Sequence, residues 1–236
     1  MNEHEIKESL IRYLSNRYSS ENNEITFIKE LFVDSWNRRA DVVMVNGHLS
    51  AYEIKSDRDS LTRLRGQLDS FKNYFEYVTV VCTKTYISEI KKILGHDEWL
   101  KVGIFLVDGE NVQSIRKAKK NVIKIDNWFS HLPVDELRKL LKENAVHANG
   151  NRAELINAAS KHLLVKHVRE FVLRYFKRRD EKIQAMKKKG NRLESRLPKI
   201  SLNDELIKSY KNAHALTRTK LRIPRQVIHP HEDLTQ

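Results

Sequence analysis

The chain is poor in residues that cross-link or interrupt a fold, and each shortage excludes a class of protein. Its single cysteine, Cys82, can form neither an intrachain disulfide nor a cysteine-based zinc site. Seven glycines and four prolines in 236 residues exclude collagen-like and low-complexity chains. No apolar run is long enough to span a bilayer, and the first residues lack the apolar segment of a secretory signal. These absences predict a cytoplasmic protein with no membrane partner.

Positive charge is concentrated in the second half of the chain. Residues 1–130 carry 20 basic and 19 acidic side chains, whereas residues 131–236 carry 24 and 12. A basic region attached to a nearly neutral one is typical of proteins that hold a polyanion. We therefore expect DNA as the partner, with RNA not excluded, and association with the nucleoid if DNA is bound. One alternative is that the basic helices are simply solvated faces, and another is that the basic region binds the acidic surface of a protein.

The apolar periodicity up to residue 107 predicts a layered α/β (α+β) fold with a central mixed sheet flanked by helices. The predicted order is α-β-β-β-α-β, followed by a further helix and strand. The first six elements are expected at residues 3–18, 24–32, 40–45, 49–55, 59–75 and 77–83. Asn46-Gly47 predicts a tight hairpin between the second and third of these strands, because both residues tolerate positive φ.

After residue 128 the pattern becomes all-helical, which predicts three segments in the chain. These are a sheet domain at 1–128, a basic helical region at 129–217 and a flexible basic tail at 218–236. Helices are expected at 134–144, 151–164, 166–189 and 201–216.

The predicted hairpin carries two carboxylates and an amine at one end. Glu53 and Lys55 are two residues apart, so they share a face of their strand, and Asp41 on the partner strand can lie beside them. Carboxylates hold Mg²⁺ while leaving it several waters, and a nearby lysine can orient a water or stabilise developing charge. An ordinary salt bridge across a hairpin would use the same residues, so this spacing alone does not decide between the two interpretations.

The arrangement Asp41 … Glu53-Ile54-Lys55 within an α-β-β-β-α-β order resembles the PD-(D/E)XK, or restriction-endonuclease-like, nuclease superfamily over about residues 3–107. The resemblance implies that Asp41 and Glu53 bind Mg²⁺, with Mn²⁺ possible, and that Lys55 acts on the attacking water.

Many members carry an acid on the first helix, which Glu5 or Glu8 could supply. Glu30, at the end of the first strand, could be a further metal ligand or only a strand-edge charge. Some members carry a glutamine on the helix after this motif, matched here by Gln67 as a catalytic residue, and Arg65 beside it could bind phosphate.

A second resemblance lies at about residues 131–164. Val146, Gly150, Arg152 and Leu155 follow in the order of a SAP-type DNA-binding helix–turn–helix. The alternative is a helical hairpin that packs on the sheet domain. The cations expected to contact DNA in the basic helical region are Lys139, Lys142, Arg152, Lys177, Arg178, Arg179, Lys187, Lys188 and Lys189.

Together these resemblances imply a magnesium-dependent DNA nuclease, a phosphodiester hydrolase acting as an endonuclease in defence, mobile-element or repair processes. A homodimer would suit the cutting of both strands. Two rivals stand beside this prediction: a non-catalytic nucleic-acid-binding protein that keeps the fold, and a protein-interaction subunit. Salt-dependent DNA binding separates these two rivals, because phosphate contacts release counterions.

Overall fold

The computed structural model describes residues 1–18, 25–35 and 37–188, with side chains up to residue 181. The strands are β1 Thr26–Val33, β2 Arg38–Val45, β3 Leu49–Lys55, β4 Tyr77–Cys82, β5 Gly103–Asp108 and β6 Asn111–Arg116. The helices are α1 Glu3–Tyr18, α2 Leu64–Tyr74, α3 Ile87–Ile93, α4 Ile125–Phe129, α5 Val134–Glu143, α6 Arg152–His162 and α7 Val165–Lys188. Within these ranges, none of the helices has the length and apolar character needed to cross a membrane.

The six strands form one mixed sheet in the order β1-β2-β3-β4-β5-β6. The pairs β1–β2, β2–β3 and β5–β6 are antiparallel, whereas β3–β4 and β4–β5 are parallel. Gly47 has a φ of 90°, a conformation that glycine adopts without strain, so the Asn46-Gly47 hairpin forms as predicted. The predicted fold class is therefore confirmed: an α+β chain with a mixed sheet, flanking helices and further helices towards the C-terminus.

Each face of the sheet is covered by different helices. On one face, α1 packs through Ile6, Leu10 and Leu14, which follow the helical spacing of three and four residues. The opposite face belongs to a larger core to which α2, α4, α5, α6 and α7 contribute. Phe171 of α7 is fully buried in that core, together with strand residues such as Val80.

Glu76, just before β4, joins α7 to the β2–β3 hairpin. The side chain is 2% exposed, and it accepts hydrogen bonds from the backbone N–H of Leu49 at 3.1 Å and from Nε of Arg169 at 3.0 Å. Lys120 adds an ion pair at 3.0 Å. Burial alone would raise the pKa of Glu76, but these donors outweigh it and lower the pKa instead.

Several element boundaries differ from the sequence prediction. β6 and the short helix α4 were not predicted, and α2 begins at Leu64 instead of near residue 59. Asp59 was expected to cap this helix, but it stabilises the preceding turn instead. Its carboxylate accepts the backbone N–H of Ser56 at 2.7 Å. The predicted helix at 201–216 and the tail at 218–236 lie outside the described residues.

Candidate functional site

Asp41 lies where the pairing of β2 with β3 ends. Val42 is paired with Tyr52, so one further step along the register would place Asp41 opposite Glu53. The Asp41 carboxylate instead accepts the backbone N–H of Ile54, with Oδ2 and N separated by 2.7 Å. The register predicted from Asn46-Gly47 thus brings the two acids together.

Glu53, Lys55 and Gln67 form a closed set of hydrogen bonds at this end of the sheet. Oε1 of Glu53 accepts from Nζ of Lys55 at 2.8 Å and from Nε2 of Gln67 at 2.5 Å. Nζ of Lys55 also donates to Oε1 of Gln67 at 3.0 Å. Oε2 of Glu53 is buried and has no hydrogen-bond partner among the described residues. The structure therefore brings together Asp41, Glu53, Lys55 and Gln67, as the sequence predicted.

Both acids resist ionisation at this position. Burial, followed by the neighbouring charge of Glu53, raises the pKa of Asp41 to about 8. Burial also raises the pKa of Glu53, although Lys55 and Gln67 oppose the shift. Two carboxylates in a low-dielectric environment favour the uptake of a proton or a cation.

Two further acids approach Asp41. The carboxylate oxygens of Glu3, Glu30 and Asp41 all lie within 4.8 Å of one another, and we call these residues the carboxylate cluster. Glu30 has a φ of 60°, a conformation uncommon for a residue other than glycine. Oxygen donors at this spacing fit a hard divalent cation such as Mg²⁺. Lys7 contacts both Glu3 and Glu30, and Arg39 pairs with Glu30 at 2.5 Å, so two positive charges already lie beside the cluster.

Neither acid predicted on α1 joins this cluster, and the carboxylate of Glu5 accepts the backbone N–H of Asn2 at 2.9 Å. Glu8 pairs with Lys29 at 2.8 Å on the exposed surface and is not part of the carboxylate cluster. Glu3 is the helix acid that approaches Asp41. Sequence reasoning missed it, although Glu3 precedes Ile6 by three residues and therefore continues the apolar stripe towards the sheet.

The first turn of α2 is cationic. Arg63 precedes the helix and Arg65 lies within its first turn; both are exposed, and that turn contains no acidic residue. The backbone N–H groups of Arg65 and Gly66 donate to no described acceptor. Arg38 packs on this turn, because a Cβ on Gly66 would lie 3.0 Å from its Nη2. Arg38, Arg63, Arg65 and Gly66 are called the arginine turn below; of these, the sequence had indicated only Arg65.

Some cations predicted to contact DNA are engaged within the protein. Lys139 and Arg178 both pair with Glu136, at 2.5 Å and 3.0 Å. Arg152 donates to the carbonyl oxygens of Leu132 and Phe129, and burial lowers its pKa. The predicted cations with no carboxylate partner in the described part of the chain are Lys142, Lys177 and Arg179. The side chains of Lys187, Lys188 and Lys189 lie outside the described residues.

Comparison with known proteins identifies relatives in a phage. The family model described as bacteriophage P4 protein cII matches residues 1–204. Protein cII of Enterobacteria phage P4 is 35% identical over 185 residues, which cover 76% of this chain and 68% of that protein. A solved structure of a protein of unknown function from Silicibacter pomeroyi shares 14% identity, covers 67% of this chain and 86% of its own, and gives a TM-score of 0.41.

These matches overturn the resemblances drawn from short motifs. The model matched to residues 1–204 spans both the segment resembling a PD-(D/E)XK nuclease and the SAP-like segment, and it belongs to neither family. The predicted nuclease activity, with its description as an endonuclease and hydrolase, is therefore wrong. The Asp41, Glu53 and Lys55 spacing is short enough to arise from a buried salt bridge in an unrelated sheet. By the extent of the family match and the identity to the phage relative, the chain belongs to the bacteriophage P4 protein cII family.

Proposed function

We propose that this protein binds DNA through the arginine turn and does not cleave it. The observation that carries the proposal is the accumulation of three guanidinium groups at the N-terminus of α2. A helix N-terminus carries a partial positive charge, so cations there are unfavourable unless an anion is bound. Backbone N–H groups at such an end are common ligands for phosphate.

The three arginines of the arginine turn have no carboxylate partner among the described residues, unlike some other cations of the surface. Arg174, for example, pairs with Glu143 at 2.8 Å, and Lys84 pairs with Asp108 at 2.6 Å. No ion pair to Arg38, Arg63 or Arg65 is formed by any described residue. Planar guanidinium groups bind phosphate with two parallel hydrogen bonds, so three of them on one turn suit a polynucleotide backbone.

Gly66 lies directly against Arg38. Nε of Arg38 donates to the carbonyl oxygen of Gly66 at 3.4 Å, and a Cβ at position 66 would lie 3.0 Å from Nη2, so the guanidinium would have to shift slightly to admit a larger residue. The basic region that begins near residue 131 would add affinity that does not depend on sequence, through Lys142, Lys177 and Arg179. A homodimer stays a prediction, as does RNA as an alternative ligand to DNA.

Fluorescence anisotropy with a labelled 25-base-pair duplex tests the proposal. We expect the double variant Arg63→Ala/Arg65→Ala to weaken binding at least tenfold at low salt. Lys101→Ala is the matched control, because Lys101 is exposed and precedes β5 at the opposite end of the sheet. Equal affinity of the double variant and wild type would refute the proposal, and tighter binding of an RNA duplex would assign RNA as the ligand. Incubation with Mg²⁺ should leave the DNA at its original length.

We also propose that the carboxylate cluster binds a divalent cation, with Mg²⁺ as the first ion to test. Three carboxylates with mutual oxygen distances within 4.8 Å favour this, together with the buried, unpartnered Oε2 of Glu53 nearby. Thermal unfolding in Mg²⁺ and in EDTA measures it, because a ligand at ten times its Kd stabilises a fold by about 1.4 kcal/mol. Glu3→Gln should abolish the stabilisation, whereas Glu8→Gln should retain it. Equal melting temperatures of the wild type in Mg²⁺ and EDTA would contradict this proposal.

A further inference from the structure

A cavity of about 510 Å³ opens on the α1 face of the sheet, beyond the last turn of the helix. Its mouth includes Arg17 and Tyr18, the final residues of α1, and the hairpin residues Asn46 and His48. It therefore lies at the hairpin end of the sheet, opposite the end that holds Lys55. Its size falls in the range of about 300–1,000 Å³ that is typical of small-molecule sites.

The strand register explains why the cavity exists. Small hydroxyl residues of β3, β4 and β6 line it: Ser50 lies beside Tyr77, Thr79 lies beside Tyr52, and Ser114 lies beside Phe105. Nearer the middle of the same face, Leu10 and Leu14 of α1 fill the space above the sheet. Past Leu14 the stripe continues with Tyr18, which is only partly buried and itself lines the cavity, so α1 covers the small floor residues incompletely.

The lining suits a ligand that is both aromatic and anionic. Tyr52, Tyr77 and Phe105 supply aromatic surface, and Tyr52 and Phe105 have ring centroids 6.1 Å apart. Arg17 and Lys117 supply positive charge, and no acidic residue is among the described residues that line the cavity. A cation would find no carboxylate here, and a purely apolar ligand would leave the polar groups of the lining unpaired.

Hydrogen-bonding groups remain available on the floor. The side-chain hydroxyls of Ser50, Thr79 and Ser114 make no hydrogen bond to another described residue. Hydroxyl groups both donate and accept, so they can match the edge of a nucleobase or a ribose. Flat bases stack favourably on aromatic side chains, and arginine binds phosphate through paired hydrogen bonds.

We propose that this cavity binds a nucleotide, with the base against Tyr52 and Phe105 and the phosphate at Arg17 and Lys117. The ligand is either a free nucleotide or one nucleotide of a single-stranded nucleic acid, since both present a planar base beside a phosphate. This site is separate from the arginine turn, and it stands whether or not the duplex binds there.

Isothermal titration of the full chain with the four ribonucleoside 5′-monophosphates, with the corresponding unphosphorylated nucleosides, and with single-stranded (dT)₈ tests the proposal. We expect saturable binding of at least one of these probes, weakened about tenfold or more by Arg17→Ala and by Lys117→Ala. Arg12→Ala is the matched control, because Arg12 is an exposed arginine of α1 that pairs with Glu110 and does not line the cavity. Ser114→Leu, which fills the floor, should abolish binding while circular dichroism shows an intact fold.

Each outcome of this titration decides one point. Binding of a monophosphate assigns a free nucleotide, and binding of (dT)₈ alone assigns a nucleotide within a strand. Binding of the unphosphorylated nucleoside as tight as that of its monophosphate would overturn the role of Arg17 and Lys117. Absence of binding by every probe, or binding that is unchanged in both Arg17→Ala and Ser114→Leu, would overturn the proposal as a whole.

Discussion

The carboxylate of Asp41 accepts the backbone N–H of Ile54 at 2.7 Å, just past the last paired residues of β2 and β3. This side chain therefore replaces a strand carbonyl as the partner of a buried N–H group. The same carboxylate lies near Glu53 and in the carboxylate cluster. Its charge is consequently a cost to the fold, even though its hydrogen bond is needed.

Asp41→Asn should make the stability of the protein less dependent on pH between 5 and 8. In the wild type the pKa of Asp41 is about 8 when folded, against about 4 when unfolded, so the folded state binds more protons in this window. The free energy of unfolding then falls as the pH rises from 5 to 8, by at most about 1.4 kcal/mol per pH unit. Asparagine keeps an acceptor for Ile54 and carries no charge, which removes this fall. Urea unfolding at several pH values measures it, and identical slopes for the two proteins would contradict the prediction.

Lys55→Met should destabilise the fold by about 3–5 kcal/mol, because it leaves the buried Glu53 without its cation. The double variant Glu53→Gln/Lys55→Met removes both charges and should regain at least about 2 kcal/mol of that loss. Chemical denaturation of the wild type and of the single and double variants gives the coupling free energy between Glu53 and Lys55. If the second substitution adds a further loss instead, the ion pair is not what stabilises this end of the sheet.

His131→Phe should protect the fold against mild acid. His131 is buried among aromatic rings and hydrogen-bonds the carbonyl of Tyr74 at 3.1 Å through its neutral ring. Burial lowers its pKa to about 4, so the unfolded state binds more protons between pH 4 and 6.5, and stability falls as the pH drops through that window. Phenylalanine cannot titrate. Melting temperatures from pH 7 to pH 4 should fall less in the variant, and parallel curves would refute the role of His131.

Glu76→Gln should loosen α7 from the β2–β3 hairpin. The substitution removes the carboxylate that pairs with Arg169 and Lys120, and leaves a partly buried guanidinium without its anion. We expect a loss of about 3 kcal/mol or more, because one partner of a buried pair is left alone. Hydrogen exchange should increase in α7 as well as near Leu49. The control Glu110→Gln, which breaks an exposed pair with Arg12, should leave stability unchanged.

Local sequence signals predicted much of the sheet. Asn46-Gly47 fixed the hairpin and its register, and the apolar spacing of Ile6, Leu10 and Leu14 predicted α1 and its buried face. β6 was not predicted because polar and apolar residues alternate only weakly along Asn111–Arg116, where Val112 is the buried residue. The beginning of α2 was misplaced because Asp59 resembles a capping residue, and only the fold shows that it serves Ser56 instead.

The chemical interpretation could not be settled by spacing. Asp41, Glu53 and Lys55 do meet, yet a buried ion pair produces the same pattern as a catalytic centre, and the family match decides against the nuclease. Glu3 lies near Asp41, and Arg38 near Gly66, only in the folded protein, because the partners are far apart in the sequence. Arg152 matched a DNA-binding motif, but tertiary structure commits its guanidinium to the carbonyls of Leu132 and Phe129.

The salt dependence of duplex binding shows whether the arginine turn contacts phosphate groups. Each phosphate contact contributes about −0.9 to the slope of log affinity against log salt concentration. For wild type we predict a steep slope, and for Arg63→Ala/Arg65→Ala a slope shallower by about 2, with Lys101→Ala unchanged. Slopes that coincide for wild type and the double variant would show that the arginine turn makes no phosphate contact and that DNA is not bound there.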